Sequence, residues 1–63
     1  MKHGIAIKDK KTGKIVEFEE CAYGREALMV LSGMRRNLNR EDYTADEVVL
    51  TDDEYDAYKK DAS

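Results

Sequence analysis

Residues 24–39 read GREALMVLSGMRRNLN. Apolar residues recur there at Ala27, Leu31, Met34 and Leu38, which are positions i, i+4, i+7 and i+11. That spacing lines one side of a helix and predicts an amphipathic helix from Gly24 to Asn39. Glu26 in the first turn and Arg35 and Arg36 in the last complement the helix dipole. No Ser, Thr, Asp or Asn stands at its start, so its entry is poorly capped. Asn37 or Asn39 can end it in a left-handed conformation. Gly33 lies inside the helix, at a cost of about 1 kcal/mol relative to alanine, and close packing against a sheet is the expected reason. Met29 and Val30 fall on the flank of the apolar stripe, where they either widen the core or form an interface.

Upstream the pattern changes to a period of two. Gly4 to Lys8 reads as a strand with Ile5 and Ile7 on one face, and Met1 to His3 are expected to fray. Asp9 to Gly13 reads as a hairpin turn, with Gly13 supplying a positive φ. Lys14 to Glu19 returns with Val16 and Phe18 inward, Glu17 and Glu19 toward water, and Ile15 on the outer face. Downstream, Arg40 to Ala45 is a polar connection holding Tyr43, and Asp46 to Leu50 a third strand with Val48 and Leu50 inward. Thr51-Asp52-Asp53-Glu54 has the pattern of a capping box, Thr51 at the N-cap and Glu54 reaching back. A short acidic C-terminal helix follows, Asp52 to Lys60, with Tyr55 and Tyr58 turned inward. The fold expected is α+β, in the order β-β-α-β-α. Its three-stranded antiparallel sheet has the order 2-1-3, because the IAI of the first strand is apolar on both faces. One main helix covers one face of the sheet.

The chain has 63 residues, room for one small domain spanning 1–63. A domain of this size buries only about 60% of its unfolded surface, so a homodimer or a partner protein is expected to add stability. Cys21 is the lone cysteine, which excludes a disulfide within the chain. With His3 it gives too few ligands for a Cys/His metal site, and no cofactor is expected. Its neighbours Glu19 and Glu20 raise rather than lower a thiol pKa, so a structural role is expected. A single cysteine fits a reducing compartment and predicts a cytoplasmic location. The longest apolar run, Ala27 to Leu31, is five residues, too short to enter a membrane. Gly4, Gly13, Gly24 and Gly33 are too scattered for a phosphate loop, and no enzyme is expected.

Charge is divided along the chain. Residues 1–40 carry nine Lys/Arg against five Asp/Glu, a net +4, and residues 41–63 carry two against nine, a net −7. Two candidate surfaces follow. The first is acidic: Asp46, Asp52, Asp53, Glu54 and Asp56, with Tyr43, Tyr55 and Tyr58 as aromatic anchors. Carboxylates along a strand and a helix can imitate a row of phosphates and occupy a nucleic-acid channel of another protein. The second is basic: Arg25, Arg35, Arg36 and Arg40, joined by the hairpin lysines Lys8, Lys10, Lys11 and Lys14, and suited to phosphate contacts.

Residues 33–48, GMRRNLNREDYTADEV, resemble small accessory, host-interaction proteins encoded by bacteriophages. The resemblance covers about a quarter of the chain and carries no catalytic residues. It implies a class of short cytoplasmic proteins that bind and modulate a host protein. The function expected is therefore a non-enzymatic protein-binding module, an inhibitor of a host nucleic-acid-handling or defence complex acting through the acidic surface. The alternative is a small nucleic-acid-binding regulator using the basic residues.

Overall fold

The computed structural model describes residues 1–62. The elements are β1 (Lys2–Asp9), β2 (Ile15–Glu20), α1 (Arg25–Arg36), β3 (Tyr43–Leu50) and α2 (Asp52–Ala62). The sheet is antiparallel, in the order β2-β1-β3. β1 is central because it is apolar on both sides: Ile5 is fully buried, Ala6 is 1% exposed and Ile7 8%.

Those alternating residues serve two cores. On one side Ile5, Ile7 and Ala45 meet Ala27 and Cys21, with Val30, Leu31, Met34, Leu38 and Tyr43 packed around them. This is the α1 side, and α1 lies over β1 and β3. On the other side α2 packs across β2 and β3. There Phe18, the cross-strand mate of Ala6, meets Tyr55 and Tyr58 edge-on, with ring centroids 5.9 and 6.2 Å away. Leu50 is buried at the head of this layer. The strand residues expected beneath a single helix are therefore shared between two. Phe18, Val48 and Leu50 belong with α2, because they pair with Ala6, Gly4 and Lys2 and so point away from Ile5 and Ile7.

Val16 does not face inward; it is 47% exposed. Ile7 pairs with Glu17 and Lys8 with Ile15, so Val16 is the extra residue of a β-bulge. The bulge also brings Ile15 onto the same side as Phe18, which strict alternation forbids. Glu17 and Glu19 do stand in water, as expected, but on the α1 side, where β2 extends beyond the helix.

The turns follow the local chemistry. The Asp9 carboxylate accepts the backbone N–H groups of Lys11 and Thr12, and Gly13 closes the hairpin at φ 72. β1 begins at Lys2 and β3 at Tyr43, both earlier than expected. The pairs Lys2–Leu50 and Asp9–Tyr43 close the two ends of that ladder. Gly4 is where the backbones come closest. A Cβ there would be driven into the Glu19 carbonyl oxygen, so the position excludes every side chain.

Candidate interaction surface

α1 starts at Gly24, whose φ of 81 and ψ of −129 form a backbone conformation reserved for glycine. No side chain caps the first turn directly. Glu26 instead reaches back to accept the Ala22 N–H at 3.3 Å, tying the entry loop to the helix. The far end stops at Asn37, at φ −109 rather than in the left-handed conformation expected, and Asn39 organises the next turn by bonding the Asp42 side chain and the Glu41 N–H.

With these ends fixed, the outward side of α1 is set. Leu28 and Met29 are 66% and 68% exposed. With Arg25, Ser32, Gly33 and Arg36 they line one shallow depression. A second depression, an open groove of about 420 Å³, runs between α1 and β2 and includes Ile7, Val16, Glu17, Met34 and Leu38. Gly33 borders both. It is not packed against the sheet, contrary to expectation: a Cβ built at Gly33 would meet nothing within 4 Å. The pair Met29 and Val30 is split. Val30 packs against the core and Met29 points away from it. At about 100° per residue, Met29 lies opposite Ala27 rather than beside the stripe.

The four arginines do not form one patch. Arg25 and Arg36 frame Leu28 and Met29. Arg35 turns to the free edge of β3, donating from Nε and Nη2 to the Ala45 carbonyl at 3.3 and 3.0 Å, with Asp46 at 3.8 Å. Arg40 joins Lys10 at a separate open pocket beside Arg35 and Thr44.

Several acidic-surface residues have local duties. Asp46 faces Arg35, and Asp52 lies 3.3 Å from the Met1 ammonium. Glu54 accepts the Thr51 N–H at 2.9 Å, while its own N–H donates to the Thr51 hydroxyl at 3.1 Å. The Thr51 N–H foremost, and then the Thr51 side chain, hold the Glu54 carboxyl below its ordinary pKa. Tyr43 packs on the α1 core, and Tyr55 and Tyr58 lie on Phe18. The Tyr58 hydroxyl also accepts the Phe18 N–H at 3.2 Å. Asp53 and Asp56 remain exposed on α2.

His3 is not at a frayed end. Its ring stacks on Tyr23 at 3.6 Å, and its side chain is only 8% exposed. Nδ1 lies 2.7 Å from the Cys21 carbonyl oxygen and Nε2 2.7 Å from a Glu47 carboxylate oxygen. Both partners are acceptors, so the geometry selects the doubly protonated ring. The His3 pKa is raised, chiefly by the Cys21 carbonyl and then by Glu47, against the opposing effect of burial. Cys21 is buried and its thiol pKa is raised, first by burial and then by Glu26, Glu47 and Glu19. The signal for His3 was present in the sequence, since His3, Ile5 and Ile7 continue one period of two.

Among the described residues, no group of three or more His, Cys, Asp or Glu side chains is placed to hold a metal ion. No described helix is long and apolar enough to cross a membrane. No protein-family model, curated protein or solved structure matches the chain.

Proposed function

We propose that the chain is a non-enzymatic protein-binding module whose contact surface is centred on Gly33. The observation that carries this is the empty space at that residue. A glycine inside a helix weakens it by about 1 kcal/mol relative to alanine. Among the described residues, none makes use of the missing side chain. The space is flanked by exposed apolar groups, Leu28 and Met29 on one side and the Val16–Met34–Leu38 groove on the other. A gap in a helix between two apolar depressions suits the close approach of another protein's side chains. It suits a nucleic acid poorly. Arg25 and Arg36 are the two cations of this depression, and Leu28 and Met29 between them offer no flat ring for a base.

Two substitutions test the reading. Gly33→Ala should raise stability by about 1 kcal/mol in urea unfolding, through helix propensity. Gly33→Arg should keep the helical circular dichroism and abolish capture of the proteins that wild type retains from a bacterial lysate. Equal capture by wild type and Gly33→Arg would refute the assignment.

Asp53 and Asp56 support a second contact, with a basic host protein of the kind the phage resemblance implies. Replacing Asp53 and Asp56 by asparagine should weaken that contact and keep the helical circular dichroism. Unchanged affinity in a pull-down would remove it.

A further inference from the structure

We infer that the occupant of the Gly33 surface is a second copy of the chain, the two α1 helices lying antiparallel about a two-fold axis at Leu31. The inference rests on the reading above and names its partner. Glu26, Met29, Gly33 and Arg36 follow one another at intervals of three, four and three, so they share one side of α1. All four are exposed. Met29 stands two residues before Leu31 and Gly33 two after; Glu26 stands five before and Arg36 five after. Antiparallel pairing about Leu31 therefore sets each Met29 into the gap at the opposite Gly33. It sets each Glu26 beside the opposite Arg36, and every contact occurs twice.

Both contacts are complementary. The flexible thioether of methionine fills irregular gaps well, and the space at Gly33 is empty. The charge pairs are of opposite sign, and the same register places Arg25 opposite Asn37 rather than opposite an arginine. A parallel pair would stack Arg36 on Arg36 and Glu26 on Glu26. An antiparallel pair shifted to centre on Gly33 would bring glycine against glycine and leave Arg36 facing Val30. Charge and shape thus agree on one register. The second helix would also cover the groove beside β2, where Val16 stands exposed. A standard interface takes roughly 800 Å² from each partner. That is about a sixth of the 4635 Å² surface of this chain.

Sedimentation equilibrium of the full chain, from micromolar to millimolar concentration, tests the inference. The mass should rise from 7.2 kDa toward twice that value. On dilution the Met29 methyl and Gly33 amide NMR signals should move, while those of α2 stay in place. Arg36→Glu and Glu26→Arg should each weaken dimerisation at least tenfold, and the combined exchange should restore it, which mere loss of helix stability would not do. A chain still monomeric at millimolar concentration overturns the inference. So does a dimer indifferent to both single reversals, or an exchange that restores nothing. A monomer whose capture of another protein is still lost in Gly33→Arg removes the second copy and leaves the surface standing. Self-association and capture both unaffected by Gly33→Arg remove the surface itself.

Discussion

His3 shows how much one side chain can fasten in a chain of this size. It sits on β1, bonds the loop after β2 through the Cys21 carbonyl and bonds β3 through Glu47. Its protonated form is the one that satisfies both acceptors. Because its pKa in the folded state lies above 6.5, folding takes up a proton at this residue. The resulting stabilisation is complete below the unfolded value and disappears as the pH rises through the folded one. Wild type should therefore lose stability relative to His3→Gln as the pH rises through and above the ordinary imidazole range, measured by urea midpoints at several pH values. A constant difference across that range would contradict the pairing. Neutral His3 retains one N–H and can serve only one of the two acceptors at a time.

At the level of elements, α1 and α2 are held by different means. α1 has an uncapped start and is retained by burial of Ala27, Val30, Leu31, Met34 and Leu38. α2 buries its tyrosines and depends on its first turn. Thr51→Ala should cost about 1 kcal/mol and speed amide exchange along α2 while leaving α1 unchanged. The Glu54 half of the box has the opposite pH sign to His3. Its support is present above the ordinary carboxylate range and is lost as the pH falls through its depressed value, so α2 should fray first in acid. These elements were legible in the sequence because their signals are local: a period of two, a period near 3.6, and a capping box. The side each strand residue faces was less legible. One extra residue at Val16 reverses the alternation on part of β2, and a bulge has no strong sequence signature. The space around Gly33 was illegible for a related reason, since an empty neighbourhood is a property of the assembled fold.

Across the whole molecule, the sheet has two free edges, and each is capped by a helix. Arg35 from α1 occupies the Ala45 carbonyl on β3, and Tyr58 from α2 occupies the Phe18 N–H on β2. Unpaired edge groups template aggregation, so these two side chains guard the molecule as well as pack it. Tyr58→Phe should cost about 1 kcal/mol. Both Tyr58→Phe and Arg35→Met should lower the temperature at which heated solutions scatter light; an unchanged onset would assign the caps no protective role. The order β2-β1-β3 carries a further consequence, for synthesis. β1 is made first, yet it is the strand that needs two neighbours. When Glu20 has been added, β1 has one partner and both its faces are bare. Its other partner is complete only at Leu50. At ordinary elongation rates of roughly 5–20 residues per second, that interval lasts about 1.5 to 6 seconds. The nascent hairpin exposes Ile5 and Ile7 until α1 is complete at Arg36, and its β1 edge stays open until Leu50, so this is when the chain most needs shelter by the ribosome or a chaperone.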